Sequence, residues 1–170
     1  GLAVRELKRY DGINIDLIEL DEEMFHWSKT NATLTKLNDN AFSDFEEIDG
    51  GDYSELRSKM RTIRSREGNR VFYSDASNYI NAYVQNQAPA KYDMIVIDLP
   101  DPYSLGLNKM YTKQFYQRVQ ALMKDDGVLV TQATSPFHSP KAFIMIGNTL
   151  EASGMNVRPY KHNIPSFGEW

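Results

Sequence analysis

Residues 92–102, YDMIVIDLPDP, are the stretch that decides the fold. Residues 94–97 form a continuous apolar run, which is typical of a parallel strand covered by helices on both faces. The run stops where two prolines remove backbone donors. The stretch therefore predicts a buried strand that delivers two carboxylates, Asp98 and Asp101, to its C-terminal end.

The position of these two carboxylates indicates a ligand site. In open α/β sheets, ligands bind in the crevice outside the carboxyl ends of the strands. A single aspartate after a strand is more often a helix cap or loop residue than a catalyst, and this alternative stays open for Asp98. Two carboxylates three residues apart, stiffened by prolines, are less usual in a simple turn.

The composition limits the class of protein. With 170 residues, 41% of them hydrophobic, the chain is long enough for one α/β domain with its own core. A net charge of -4 argues against a partner nucleic acid, because no basic excess is present to neutralise phosphates. The chain has no cysteine, which suits a reducing compartment. Its three histidines show no metal-ligand spacing, so we expect no metal.

Strand and helix patterns alternate along the chain. Strands are predicted at residues 13–20, 71–73, 94–97, 128–130 and 156–160, and helices at residues 1–10, 22–27, 53–68, 76–84, 115–123 and 140–153. Residues 38–52 and 103–110 are predicted to be loops. This alternation predicts a doubly wound, mostly parallel α/β sheet.

Two further acids lie at predicted strand tips. In nucleotide-binding α/β folds, an acid at the end of the second strand accepts hydrogen bonds from the ribose hydroxyls, and Glu19 has that position. The alternative for Glu19 is a salt bridge or a cap. Asp75 follows the next strand and opens a helix, so its alternative is an N-cap. Together with Asp98, these acids at successive strand ends indicate a sheet that binds a nucleoside.

The motifs in their order resemble the spermidine synthase (polyamine aminopropyltransferase) family from end to end. They are GLAVREL, LIELD, SDA, YDMIVIDLPDP, MYTKQFY, GVLVTQATSP and IPSFGEW. The branch in which the synthase domain follows membrane helices is the most similar. The resemblance implies a Rossmann-like S-adenosylmethionine-dependent methyltransferase fold. It also implies transfer of an aminopropyl group from decarboxylated S-adenosylmethionine to a diamine such as putrescine, giving spermidine and methylthioadenosine.

The same resemblance assigns roles by position. Asp98 matches the proton acceptor, Asp101 the acid that holds the substrate amine, and Gln132 lies in the stretch that lines the same pocket. On the nucleoside side, the matching residues are Gly1 in the glycine loop, Glu19 on the ribose, and the pair Asp75 and Ala76 beside the adenine.

The residue types make chemical sense without the family. A diamine is a dication at neutral pH and cannot attack until one ammonium group loses its proton. A site for it needs anionic groups both to hold the substrate and to take that proton. Carboxylates do both.

Several features depart from the family pattern. We expect residues 1–170 to form a single catalytic domain that lacks its first strand and most of the glycine loop. Residues 38–67 contain an apparent insertion of roughly 20 residues. Leu99 and Pro100 replace small polar residues between the aspartates, and Phe167 replaces a tyrosine that binds the amine. The family also allows a homodimer, and its membrane-fused branch allows a tether outside this segment.

Two other classes of function stay open. A methyltransferase that uses S-adenosylmethionine shares the fold and the acids Glu19 and Asp75, but it has less reason to keep two acids at the acceptor position. A non-catalytic nucleoside-binding domain of a membrane protein is the second alternative. The sequence has no apolar run of about 18 residues, so we do not expect this segment itself to span a membrane. A cytoplasmic location is the corresponding expectation.

Overall fold

Parallel strand pairs form the centre of each of the two units into which the chain divides, Gly1–Ala88 and Pro89–Trp170. The computed structural model describes residues 2–63, 67–86, 91–164 and 168–169. The first unit contains α1 (Leu2–Leu7), β1 (Asp16–Glu19), α2 (Glu22–Thr30), α3 (Ala32–Leu37), β2 (Phe45–Asp49), α4 (Tyr53–Thr62), β3 (Asn69–Tyr73) and α5 (Ala76–Gln85). The second contains β4 (Tyr92–Ile97), α6 (Leu105–Asn108), a 3₁₀ turn (Lys109–Tyr111), α7 (Lys113–Ala121), β5 (Met123–Thr131), α8 (Pro140–Ala152), β6 (Asn163–Ile164) and β7 (Gly168–Glu169). The predicted α/β class with mostly parallel pairing is confirmed.

The sheet of the first unit has the order β1-β3-β2, with both pairs parallel. Its register sets Glu19 and Asp49 on either side of Tyr73, at the end of the central strand. Parallel strands present their carboxyl ends at one edge of a sheet. The C-terminal edge of this sheet therefore carries the predicted strand-tip acid Glu19.

An aromatic core holds α2 against this sheet. The ring of Phe25 lies 5.0 Å from that of Phe42, 6.1 Å from that of Phe45 and 5.8 Å from that of Tyr73, measured between centroids. Rings at these distances bury large apolar surfaces and add edge-to-face attraction. Packing of α2 thereby fixes the short turn between Glu19 and the start of the helix.

The prediction of a loop over residues 38–52 is wrong, because β2 lies inside that range. Phe45 is buried, whereas Glu46 and Asp49 face solvent, and the charge of the acids after Phe45 obscured the strand pattern. The next predicted helix was also too long: α4 ends at Thr62, before the positive φ of 90° at Gly68. Because β2, α4 and β3 follow each other with β2 parallel to β3, residues 38–67, where an insertion is predicted, contribute one strand to the sheet.

In the second unit, β4 and β5 pair in parallel with an irregular register near Tyr92. The predicted helix over residues 115–123 ends earlier, since α7 stops at Ala121 and Met123 begins β5. The prediction that residues 94–97 are buried on both faces is wrong. Met94 is 49% exposed and Val96 is 47% exposed among the described residues. An apolar run alone does not tell how many faces are covered.

Two other predictions for this unit are wrong. Residues 103–110 do not form a plain loop, because Ser104 caps the short helix α6 and the 3₁₀ turn follows it. The predicted edge strand at residues 156–160 is not formed, and Pro159 in that segment has no N–H for a strand ladder. The short antiparallel pair β6–β7 follows instead. No helix within the described part of the chain is both long and apolar enough to cross a membrane.

Candidate active-site residues in the two units

Glu19 ends β1 and is tied to the start of the segment after β3. Its carbonyl oxygen accepts a hydrogen bond from the backbone N–H of Ser74 at 2.9 Å. Its carboxylate oxygen Oε1 accepts one from the N–H of Asp21 at 3.0 Å. The N-cap of α2 is Asp21 and not Glu19, so this bond fixes the turn between β1 and the helix. A carboxylate offers about four acceptor sites, so one such bond does not exhaust it.

Asp75 caps α5, as the alternative for this residue predicted. Its Oδ1 accepts hydrogen bonds from the N–H groups of Ser77 at 2.8 Å and Asn78 at 3.3 Å. Ala76 is the first residue of the helix. Asp75 and Ala76 therefore lie at the same sheet edge as Glu19, because Ser74 joins the two strand ends.

The strand β2 also reaches this edge, although no strand was predicted there. The N–H of Gly50 donates to the carbonyl oxygen of Tyr73 at 3.1 Å. A Cβ atom at Gly50 would lie only 2.2 Å from that oxygen, so the close approach requires glycine. The pair Gly50 and Gly51 was the available signal, but composition alone assigned it to a loop.

A charged network fastens β2 beside β3. The Tyr73 hydroxyl donates to Glu47 Oε2 at 2.9 Å, and Lys29 Nζ lies 2.6 Å from Glu47 Oε1. The hydrogen bond from Lys29 lowers the pKa of Glu47 below its ordinary value, and the bond from Tyr73 acts in the same direction. Burial raises the pKa of Tyr73, and the Glu47 charge adds to this shift. These contacts join α2, β2 and β3 close to the C-terminal edge.

In the second unit, the structure brings three predicted site residues together. Asp98 follows the last residue of β4 and is exposed. The backbone N–H of Gln132, directly after β5, donates to the Ile97 carbonyl oxygen at 3.2 Å. The side-chain nitrogen Nε2 of Gln132 donates to Asp101 Oδ1, also at 3.2 Å. Two carboxylates and one amide therefore share the C-terminal ends of β4 and β5.

A tyrosine that the sequence analysis did not select holds the turn between the aspartates. The hydroxyl of Tyr111 lies 3.0 Å from the Pro100 carbonyl oxygen and 3.4 Å from the Leu99 carbonyl oxygen. Burial raises the pKa of Tyr111, and the negative charges of Asp101 and Asp98 add to this shift. The motif MYTKQFY contained Tyr111, but no pattern in it indicated the contact.

The following carbonyl groups are also held. The N–H of Tyr103 donates to the Asp101 carbonyl oxygen at 2.7 Å. With its side-chain amide turned so that nitrogen faces acceptors, Asn108 donates to the Pro102 carbonyl oxygen at 2.8 Å. The segment after β4 is thus a closed, hydrogen-bonded turn and not a free loop.

The loop after β5 is strained at one residue. Thr134 has a φ of 59° and is buried. A β-branched residue in this left-handed region is unusual and is maintained only where the surroundings enforce it. Ser135 contributes to those surroundings, because its Oγ accepts hydrogen bonds from the N–H groups of Phe137 at 3.2 Å and His138 at 3.3 Å. This loop carries Gln132.

Two residues singled out in the sequence, Gly1 and Phe167, lie outside the described residues. Among the residues that the structure does describe, no group of three or more His, Asp or Glu side chains is arranged to hold a metal ion. Within the second unit, the groups that lie together are the carboxylates of Asp98 and Asp101 and the amide of Gln132. Such a set suits a cationic amine as ligand.

Comparisons with known proteins agree on one family. The family described as spermine/spermidine synthase domain matches residues 1–170. The polyamine aminopropyltransferase of Shewanella oneidensis is 34% identical over 179 residues, covering 100% of this chain and 27% of that protein. Polyamine aminopropyltransferase 2 of Aquifex aeolicus is 31% identical, covering 100% of this chain and 29% of that protein. For polyamine aminopropyltransferase 2 of Bacillus cereus, the identity is 32%, with 100% of this chain and 40% of that protein covered. The chain thus spans less than half the length of these relatives.

Proposed function

The chain belongs to the spermine/spermidine synthase domain family, whose Rossmann-like methyltransferase fold it shares, and from this premise we propose that it is a polyamine aminopropyltransferase. The proposed reaction moves the aminopropyl group of decarboxylated S-adenosylmethionine to a diamine such as putrescine. The products are spermidine and methylthioadenosine. The contact between Gln132 and Asp101 is the observation that carries the proposal, because it holds one carboxylate at the strand ends where Asp98 supplies a second, and two anionic groups suit a cationic amine.

The amine side of the proposed site is in the second unit. An ammonium group has three donors, and a carboxylate accepts such charge-assisted hydrogen bonds strongly. Asp101 is held by Gln132 and would bind the diamine, and Gln132 would line the same pocket. Asp98 is exposed at the strand end and would take the proton.

The proposed chemical step is a displacement at carbon. The neutral amine nitrogen attacks the methylene carbon bound to the sulfonium sulfur, and a C–N bond forms as the C–S bond breaks. The bonding electron pair stays with sulfur, which leaves as the neutral thioether of methylthioadenosine. Asp98 takes a proton from the attacking nitrogen before the attack, while it is still an ammonium group, and after the attack the positive charge of the sulfonium is on the secondary ammonium nitrogen of spermidine. Alignment of nitrogen, carbon and sulfur is therefore the main demand on the protein.

The nucleoside side of the proposed site is in the first unit. Glu19 would accept hydrogen bonds from the ribose hydroxyls, as acids at this strand position do in related nucleotide-binding folds. Asp75 and Ala76 would lie beside the adenine, and Gly1 would belong to the glycine loop. The position of Glu19 and Asp75 at one sheet edge supports this assignment.

The partner, assembly and location of the protein are part of the same proposal. The diamine is the partner, a homodimer is the proposed assembly, and the location is cytoplasmic, with a membrane tether outside this segment as in the membrane-fused branch. The net charge of -4 gives no support to nucleic-acid binding.

Product analysis of the full-length native protein tests the proposed function. The protein is incubated with putrescine and with either decarboxylated S-adenosylmethionine or S-adenosylmethionine. We expect methylthioadenosine and spermidine from the decarboxylated donor only. S-adenosylhomocysteine from the other donor would indicate a methyltransferase. Binding of nucleoside without any product would indicate a non-catalytic domain.

A further inference from the structure

We propose that Tyr111 is a positioning residue that fixes the turn carrying Asp98 and Asp101. This inference rests on the proposed function for its catalytic consequence, but its structural basis is independent. The Tyr111 side chain is almost fully buried, and its hydroxyl lies within hydrogen-bonding distance of two successive carbonyl oxygens, 3.0 Å from that of Pro100 and 3.4 Å from that of Leu99.

The orientation of these two carbonyl groups depends on the ψ angles of Leu99 and Pro100, which lie between the two aspartates. The proline ring fixes φ of Pro100 but leaves its ψ angle free. The residue before a proline is restricted to the extended region, but within that region ψ of Leu99 still varies by tens of degrees. A carbonyl oxygen turns with the ψ angle of its own residue. The Tyr111 hydroxyl has one proton, so its shorter contact restrains the ψ angle of Pro100 and its longer contact restrains that of Leu99 more weakly.

The turn has few donors of its own. Pro100 and Pro102 have no N–H, so two of the amides that hold an ordinary turn are missing. A donor from outside the turn replaces them at Leu99 and Pro100, and Tyr111 supplies it. The Gln132 amide then holds the carboxylate of Asp101 from the β5 side. Backbone and side chain of the turn are thus fixed from two different elements.

The electrostatic surroundings keep Tyr111 a donor. Its burial and the neighbouring negative charges raise its pKa, so the hydroxyl stays protonated throughout the pH range in which a carboxylate works as a base. The same charges would repel a phenolate. Tyr111 is therefore suited to hold carbonyl oxygens, and no proton transfer by it is required.

Loss of the Tyr111 hydroxyl should lower the rate of the reaction with the diamine. Misplacement of a catalytic group by about 1 Å lowers rates by up to roughly 100-fold. For Tyr111→Phe, we expect kcat/KM for the diamine to fall by about 10- to 100-fold. Affinity for methylthioadenosine should stay unchanged, because the proposed nucleoside residues are in the first unit.

The test compares two tyrosine variants in the full-length native protein. Tyr116→Phe is the matched control, because it also removes a buried hydroxyl in this unit, but from α7 and not from the turn. Both variants are examined by steady-state kinetics with varied diamine and by hydrogen exchange of peptides covering residues 98–104. We expect exchange in these peptides to be about tenfold faster in Tyr111→Phe only.

The outcomes separate the inference from the proposed function. Kinetics and exchange within twofold of the wild type in Tyr111→Phe would overturn the inference. So would equal losses in both variants, which would indicate a general effect of removing a buried hydroxyl. If the wild type forms no aminopropyl product while the exchange of Tyr111→Phe still rises, the proposed function fails and the fixed turn is confirmed.

Discussion

At the residue scale, Asp98 and Asp101 differ in what holds them. Asp98 follows a paired strand directly, so the backbone that carries it is set by the β4–β5 ladder. Asp101 lies beyond a proline, and its carboxylate is held by Gln132. A group fixed by a strand suits proton transfer along one direction, whereas a group on a turn suits binding of a cation. Substitution of the two carboxylates is therefore expected to change different kinetic constants.

Glu19 provides a test of the nucleoside side at the same scale. Its carboxylate should accept hydrogen bonds from both ribose hydroxyls, so Glu19→Ala should weaken methylthioadenosine binding by about 1.5 to 3 kcal/mol, the range for hydrogen bonds to a charged group. Calorimetry on the full-length native protein measures this. Glu23→Ala, an exposed acid in the first turn of α2, is the control and should bind normally. Unchanged affinity in Glu19→Ala would remove this residue from the site.

Single residues also show where sequence reasoning stops. Asp98, Asp101 and Gln132 were predicted, and they lie together because parallel strands end at one edge. Tyr111 was not predicted, because its contact depends on a 3₁₀ turn that returns the side chain to the turn after β4. The contact joins residues eleven and twelve positions apart, and no local pattern specifies that distance.

At the element scale, Gly50 allows the chain at the end of β2 to approach β3 closely. Gly50→Ala would place a methyl group 2.2 Å from the Tyr73 carbonyl oxygen, which is backbone and cannot turn aside. We expect a loss of about 1 to 3 kcal/mol in the free energy of unfolding, as for overpacking elsewhere. Urea unfolding measures the loss.

Gly147→Ala is the matched control for this substitution. Gly147 lies inside α8, and no atom outside the backbone of that helix comes within 4 Å of the place where an alanine methyl group would lie. Alanine should therefore stabilise the helix by about 0.5 to 1 kcal/mol. The two substitutions should have opposite signs. A Gly50→Ala variant as stable as the wild type would contradict the close approach of β2 to β3.

The secondary-structure elements differ in how well they could be predicted from the sequence. The helix predicted at residues 140–153 is confirmed as α8, since Pro140 begins it and Gly154, with a φ of 100°, follows its end. The strand β2 was missed, because only Phe45 among its first residues is buried and its pairing comes from β3. For β4 the strand was right and the burial was wrong, because burial depends on what packs over a strand.

At the scale of the whole molecule, acid stability depends on carboxylates such as Glu47. Its folded pKa lies below the ordinary value of 4.5, chiefly because of the hydrogen bond from Lys29. Its contribution is therefore present above about pH 4.5 and is lost as pH falls through the folded pKa. Glu47→Gln should lower the free energy of unfolding at pH 7 by less than about 1 kcal/mol.

The difference between the wild type and Glu47→Gln should shrink toward zero as pH falls through the lowered pKa of the wild-type carboxylate. Urea unfolding at several pH values measures it, with Glu46→Gln on the exposed side of β2 as the control. A difference that stays constant from pH 7 to pH 3 would show that the loss is not electrostatic.

The central claim, that the whole protein transfers an aminopropyl group with Asp98 as proton acceptor, is tested most directly by the turnover of Asp98→Asn. Diamine is varied at saturating decarboxylated S-adenosylmethionine in the full-length native protein, with Asp101→Asn beside it. We predict that kcat of Asp98→Asn falls by about 100- to 10,000-fold, the usual contribution of a general base. Asp101→Asn should instead raise KM for the diamine more than it lowers kcat. Near wild-type turnover in Asp98→Asn would contradict the claim.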